Sequence, residues 1–493
     1  MLKKIAHWLT DKPVIILIVA LIALVFSFIG AAATRINYDI LTYLPPDFDS
    51  SKGEKLLEEP FHSAATTMLI VEDMPPEYTN SLCRQIQDVP GVSSALWISS
   101  LTGVQIPKDF LPEEIRDTFF SGNSTMMIIQ YDMPGSSTET MNAIRDIRKI
   151  CNEKCFLAGF SVVIKDTKDL VDSELPFYVL LAVVLSLIVM CATMESWLLP
   201  FAVLGSIGFS IMFNFGTNIF LGEISYITKA IAAVLQLGVT TDYSIFLYHR
   251  YREECERTDN HKDAMAEAIV SSFTALFSSS LTTVAGFLAL CFMQLLLGRD
   301  IGIVMSKGVV LGIATVLMVL PAIILVLDKP IEKYKHKALN IRFNRLNRFI
   351  IKHNKAFVIL FILLFIPALY AQNHAEVYYK LDEALPQDMP SIVATNKLKD
   401  DYNMASSHFV VMRDDLAHYE MLELIDKLEA VDGVESVIGY DKFASNAIPE
   451  FFIPDELLDI CQRDGMQIMM INSGYPSASD AVGTQIEALN AIL

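Results

Sequence analysis

The stretch LGVTTDYSIFLYHRYREE, residues 237–254, sets a carboxylate, Asp242, beside a phenol, Tyr243, inside an apolar run. A carboxylate at mid-bilayer costs about 2.5 to 3.5 kcal/mol on insertion scales, so such residues face a protein interior or a water path. Asp242 precedes Arg250 by about eight residues, which is roughly 12 Å of helix and brings it close to the membrane midplane. Reversible protonation is the chemistry open to such a group, and the Tyr243 hydroxyl can donate to it or pass a proton on. Gly238, one turn earlier, is expected to let another helix approach closely. Thr240, Thr241 and Ser244 add hydroxyls. The plainer alternative is an aspartate that only binds a neighbouring helix through hydrogen bonds.

A second polar series lies in SSFTALFSSSLTTVAGFLAL, residues 271–290, with Ser278, Ser279, Ser280, Thr282 and Thr283 ending at Gly286. These hydroxyls either bond their own helix carbonyls or, with Ser279 and Thr283 foremost, face Asp242 and hold water. Lys307 lies more than about 10 Å from Asp242 in depth by helical rise, so an ion pair is not expected. It reads as snorkelling outward or making a structural contact. The sequence shows no phosphate-cradling Gly loop and no metal or Ser-His-Asp cluster, which argues against ATP as a direct fuel. The histidines are isolated. Neither a metal nor any other cofactor is expected.

Seven apolar runs must position these groups: 13–33, 177–195, 198–221, 224–248, 271–296, 301–327 and 356–372. Each is long enough to cross a bilayer, which takes about 20 residues. Mean hydropathy is +0.41 and 53% of the 493 residues are hydrophobic, too apolar for an ordinary soluble domain. The first run exceeds a signal-peptide core of about 15 residues and reads as a retained anchor. Net charge is −19, unevenly spread. Segment 329–355 gathers Lys and Arg, a mixed-charge loop runs over 250–267, and both are assigned to the cytoplasm; 34–176 and 373–493 are acidic and lie opposite. No nucleic acid partner is implied. Of the seven cysteines, only Cys151 and Cys155 are close in sequence; as an i, i+4 helical pair they read as two buried thiols rather than a disulfide.

The two acidic segments match each other at an offset of about 342: YLPPD (43–47) with ALPQD (384–388), VPGVSSALW (89–97) with VDGVESVIG (431–439), IPKDFLPEEI (106–115) with IPEFFIPDEL (448–457), and TMMIIQYDMPGSS (125–137) with QIMMINSGYPSAS (467–479). In the first copy, β-type runs at 66–72, 92–99, 124–131 and 156–164 alternate with helical stretches near 78–88 and 136–152. A short helix after Pro112 is an insertion. The order β-α-β-β-α-β is ferredoxin-like. The expected fold is therefore an α-helical polytopic membrane protein with α+β ferredoxin-like extracytoplasmic domains and an internal duplication of one plus five helices, its second repeat truncated. Its parts are 1–12, a cytoplasmic N-terminus; 13–33, the first span; 34–176, the first outside domain; 177–327, a five-span bundle; 328–355, a basic linker; 356–372, the seventh span; and 373–493, an incomplete second outside domain. Continuing the repeat would add about five helices, spans eight to twelve.

LGVTTDYSIFLYHRYREE (237–254), SSSLTTVAGFLAL (278–290) and RDIGIVMSKGVVLGIATVLMVLPAIILVLD (299–328) resemble the resistance-nodulation-division superfamily, in particular its MMPL branch. Spans two to six also resemble a sterol-sensing-type domain. The resemblance implies a secondary exporter of lipids or other hydrophobic molecules, driven by the proton gradient across a bacterial cytoplasmic membrane and not an enzyme. Asp242 and Tyr243 would form half of its proton relay, supported by Gly238, Thr241, Ser244, Ser279 and Thr283. The other half would lie on a tenth helix absent from this chain. Thr240 stands where the family often has Gly. Implied partners are membrane lipids, the hydrophobic substrate, the remaining helices and, as in some of the superfamily, further copies of the chain. Competing readings are a non-transporting lipid sensor or scaffold and a protein-translocation accessory.

Overall fold

Uninterrupted apolar sequence with caps at its ends folds into long helices. The computed structural model describes residues 2–58, 61, 65–99, 116, 119–337, 344–375, 385–442, 461–477 and 479–493. Its elements in chain order begin with α1 (Leu2–Asp11), α2 (Pro13–Ala33), β1 (Arg35–Asn37), α3 (Asp49–Glu58), β2 (Ala65–Glu72), α4 (Pro76–Gln87), β3 (Val92–Leu96), β4 (Phe120–Ser121), β5 (Ser124–Tyr131), α5 (Thr138–Ile150) and β6 (Cys155–Ala158). There follow α6 (Phe160–Thr193), α7 (Leu199–Gly216), β7 (Glu223–Ser225), α8 (Tyr226–Cys255), α9 (His261–Leu290), α10 (Leu296–Val326), α11 (Asp328–Lys333), α12 (Asn344–Lys352) and α13 (Asn354–Asn373). The last are α14 (Pro390–Tyr402), β8 (Ser406–Arg413), α15 (His418–Glu429), β9 (Val434–Gly439), β10 (Gln462–Arg463), β11 (Met466–Ser473) and α16 (Asp480–Ile492).

Two units result, one of Met1–Asn37 with Ser173–Tyr378 and one of Tyr38–Asp172 with Tyr379–Leu493. The described residues contain seven helices long and apolar enough to cross a membrane: α2, α6, α7 with the 3-10 turn to Leu221, α8, α9, α10 and α13.

Local signals set the helix ends. Pro13 occupies the first turn of α2, where its missing N–H costs nothing. The Ser225 side chain accepts from Ile227 N at 3.2 Å to start α8, and Asn260 accepts from Lys262 N at 3.1 Å to start α9, the ordinary N-cap roles of Ser and Asn. In the first unit, α7, α8, α9 and α10 share a core that includes Leu199, Val203, Leu237, Tyr243, Leu247, Met265, Ile269 and Val316. α2 crosses α7 with backbones in contact at Gly30 and Gly216, the close approach that small residues permit between membrane helices. β1 pairs in parallel with β7. α13 buries none of its residues against the chain.

In the second unit, one sheet has the order β3-β5-β2-β6, with β4 also on β5, and every pairing is antiparallel. Its two faces take alternate residues, as the pleat requires. Leu69, Val71, Met127 and Ile129 face α4 and α5 through Leu82, Ile86, Ile144 and Ile147. Met68, Ile70 and Met126 face the other way, where α14 covers them with Ala394, Leu398 and Tyr402. The other sheet runs β10-β11-β8 with β9 also on β11, again antiparallel.

Polar groups fix α14 in place. Arg148 donates to both carboxylate oxygens of Asp166, at 2.5 and 2.8 Å, and Asp166 Oδ2 accepts from Ser391 N at 3.1 Å, at the first turn of α14. Lys397 pairs with Glu72 at 2.5 Å and lies 4.4 Å from the Phe156 ring centroid. The Tyr402 hydroxyl meets Ser124 Oγ at 3.0 Å.

Two expectations are corrected here. The strand expected over 156–164 ends at Ala158 and a helix starts at Phe160. Gly159 turns the chain at φ +126, which sterics favour only for glycine, and the β-branched run beyond it goes helical. The helical stretch expected to 152 ends at Ile150, so Cys151 and Cys155 are not an intrahelical pair. The helix after Pro112 and the matched blocks 106–115 and 448–457 lie outside the described residues, as does residue 384 of the first matched block.

Candidate functional site

Asp242 is on α8 and exposed on the surface of the chain. Toward the start of α8 its face is apolar, with Ile231 and Leu235 40% and 37% exposed; one turn after it comes Phe246, 45% exposed, and two turns after it the exposed His249. Gly238 is in the same stripe, also exposed. Tyr243, its neighbour in sequence, is turned a third of a helical turn away and buried in the bundle core with Leu247 and Leu237. Among the described residues no hydrogen bond joins Asp242 to Tyr243.

The expected supporting residues divide in the same way. The Thr241 and Ser244 hydroxyls donate to carbonyls one turn back, Leu237 O at 2.6 Å and Thr240 O at 2.8 Å. On α9, Ser279 is exposed and its carbonyl accepts from Thr282 at 2.7 Å and Thr283 at 3.1 Å. The Thr241, Ser244, Thr282 and Thr283 hydroxyls therefore satisfy their own helices, as hydroxyls do where water is scarce. Gly238 departs from expectation: a Cβ built there meets nothing within 4 Å, so no helix among the described residues uses the gap.

Behind Asp242, the inward face of α8 joins a buried polar network that the sequence reading did not single out. Asn214 Nδ2 on α7 donates to Gln236 Oε1 at 3.0 Å. Gln236 Nε2 donates to Ser210 Oγ at 2.6 Å and to Gly308 O at 3.2 Å. Lys307 Nζ donates to Asn214 O at 3.0 Å and to Asn218 Oδ1. Of the two readings of Lys307, the structural contact is the one formed. Glycines make room for these side chains: a Cβ at Gly308 would stand 2.7 Å from Asn214 Nδ2, and one at Gly312 would stand 2.9 Å from Thr240 Oγ1. Single amides within apolar runs were the available signal, but nothing in their spacing pairs Asn214 with Gln236.

Asp300, near the start of α10, accepts from Ser225 N at 2.9 Å and Thr228 Oγ1 at 2.5 Å, and so holds the N-terminus of α8. At the other end of α8, Arg252 pairs with Glu195 at 2.6 Å. There His261 Nδ1 meets Asp328 Oδ1 at 2.7 Å, and the Tyr251 hydroxyl is 3.2 Å from the same nitrogen. α8 is thus anchored at both ends and along one side, leaving the Asp242 stripe as its free face.

Seven apolar helices in one chain define a multi-pass membrane protein. The profile of the MMPL family matches residues 78–356, more than half of the chain, and the protein belongs to that family. It is similar to the membrane protein MJ1562 of Methanocaldococcus jannaschii, 24% identical over 370 residues, which cover 67% of this chain and 95% of that protein. It is 21% identical over 470 residues to the membrane protein YdgH of Bacillus subtilis, covering 90% of this chain and 52% of YdgH. The sulfolipid-1 exporter MmpL8 of Mycobacterium tuberculosis is 24% identical over 248 residues, 44% of this chain and 22% of the exporter. The chain therefore spans about half the length of YdgH and less of MmpL8.

Proposed function

We propose that the protein is a secondary exporter of lipids or other hydrophobic molecules across a bacterial cytoplasmic membrane, driven by the proton gradient, with Asp242 as the protonated group. One observation carries this reading. In a helix of membrane-spanning length, the carboxylate occupies an exposed apolar stripe, while the surrounding polar side chains are turned inward or bonded to their own helix. A carboxylate kept at bilayer depth without an internal partner needs a facing group or water, and such residues mark ion paths. On this reading a further helix, the repeat equivalent of α8, covers the stripe and supplies the facing group. Moving one charge through 100 mV is worth about 2.3 kcal/mol, enough to bias one arrangement of two packed bundles over another. Names among the relatives, the sulfolipid-1 exporter above all, support a lipid-like cargo.

The outside sheets support the duplication behind this scheme. β2-α4-β3-β4-β5-α5-β6 and β8-α15-β9-β10-β11-α16 follow one order, with β5 and β11 in equivalent central places. We read both as ferredoxin-like. The test is proton flux into liposomes holding the protein, with wild type and Asp242→Asn compared under an imposed pH gradient. Flux lost in the Asn variant and partly kept in Asp242→Glu is expected; equal flux in wild type and the Asn variant would overturn the role of Asp242.

A further inference from the structure

The transport reading leaves out α1, a helix with two unlike faces. Ala6, Leu9 and Thr10, spaced as one side of a helix, are buried. Ala6 joins the core that holds Met265 and Ile269 of α9, and Leu9 packs with Ile16 of α2 and Ala322 of α10. Along one edge, Lys3 Nζ lies 3.2 Å from Glu267 and His7 Nδ1 lies 3.6 Å from Asp263, both on α9. Asp11, one turn after His7, falls on the same edge. The remaining face is uncovered. Ile5 and Trp8 are 48% and 52% exposed. Lys4 and Lys12 beside them are exposed too, and neither forms an ion pair among the described residues.

The position of this face is set by α2. That helix has 21 residues, about 31 Å at 1.5 Å each, which matches the hydrocarbon core of a bilayer. Pro13 therefore marks one boundary of the core. Lys12 alone separates α1 from it, at a backbone turn of φ −121 and ψ 49, so α1 lies at headgroup level rather than in bulk water. Beyond that boundary α2 carries Val14, Ile18, Val19 and Phe26, each more than half exposed, as a lipid-facing surface does. Ile5 and Trp8 extend this apolar surface past the boundary. An indole favours the headgroup level, and lysines beside an apolar strip favour anionic lipid.

We propose that α1 is an interfacial helix docked on anionic phospholipid. Trp8 and Ile5 enter the boundary between headgroups and acyl chains in the leaflet where α2 begins, and Lys4 and Lys12 take the headgroup phosphates. Because its other face is fastened to α9 and α10, the docked helix holds the start of α9 at headgroup level. The inference uses neither Asp242 nor the direction of any transport.

The probe is a phosphatidylcholine vesicle holding the whole protein and a fixed fraction of brominated lipid, read by tryptophan fluorescence. Of the three tryptophans, Trp97 is buried in the core of the first sheet. With Trp197→Phe as background, the difference on adding Trp8→Phe reports Trp8. Bromines near the headgroup should quench Trp8 more than bromines near the chain ends. Brominated phosphatidylglycerol should quench it more than the same fraction of brominated phosphatidylcholine. Lys4→Gln with Lys12→Gln should remove that excess and leave the depth preference, since exposed side chains of this kind carry little of the fold. A Trp8 reached by iodide from water and by neither bromine would overturn the proposal. Quenching that falls as the protein-to-lipid ratio rises would give the face to a second copy and overturn it as well. Equal quenching by the two brominated lipids would overturn the headgroup assignment.

Discussion

Substituting Gly216 by alanine tests the closest helix crossing in the membrane unit. A Cβ on Gly216 would lie 2.5 Å from both Cβ and O of Ser27 on α2. The Ser27 Cα would be closer still, and ordinary contact begins near 3.4 Å, so the helices must part by roughly 1 Å or more, and the obstructing atoms include backbone that cannot rotate aside. Overpacking of this kind costs about 1 to 3 kcal/mol, and α2 loses packing along the rest of its contact with α7 as it moves. The same helix supplies its own controls: a Cβ on Gly205 or Gly208 meets nothing within 4 Å. In those two places alanine should be neutral or stabilising by up to about 1 kcal/mol, the helix-propensity difference from glycine. Gly216→Ala should therefore fall about 1 to 4 kcal/mol below Gly205→Ala. The assay is unfolding in mild detergent, by heat or denaturant, with all three variants and wild type side by side. A Gly216→Ala protein as stable as Gly205→Ala would refute the reasoning that the backbones of α2 and α7 touch there.

Removing Asp166 by alanine leaves the Arg148 guanidinium, only 27% exposed, without its carboxylate and Ser391 N without its acceptor. Breaking such a pair costs about 3 to 5 kcal/mol, and proteolysis within α14 should report it before cleavage elsewhere in the unit. His408 in β8 is held below its ordinary value of 6.5, chiefly by burial. The unfolded chain then binds more protons than the folded one as pH falls below about 6.5, so the second unit should lose stability in that direction. His408→Gln should flatten the slope in a pH series of melting curves.

The legible parts of the fold were those set by a single run of sequence. Seven apolar runs of bilayer length gave seven helices, and β2 and β5 were visible because short apolar stretches end in turn residues. Gly159 shows where such reading stops. FLAGFSVVI has β composition throughout, yet one backbone angle available to glycine ends the strand and the β-branched residues after it enter a helix. Contacts between distant segments were not legible at all. Asn214 finds Gln236, and Gly30 finds Gly216, only because folding brings their helices together. At the candidate site the carboxylate was plain from its apolar surroundings. The division between an outward Asp242 and an inward Tyr243 depends on which face of α8 the bundle buries, and periodicity in so apolar a segment gives little sign of that.

The seat of α14 on the first sheet has a consequence for how the chain is made. Met68, Ile70 and Met126 lose water only when Ala394, Leu398 and Tyr402 arrive, and Ala158, the last residue of that sheet, precedes Leu398 by 240 positions. At roughly 5 to 20 residues per second of synthesis, the uncovered face waits about 12 to 48 s for its lid. During that interval the nascent first sheet presents one open apolar face. A cell that makes this protein must keep that face from pairing with other chains until α14 is complete.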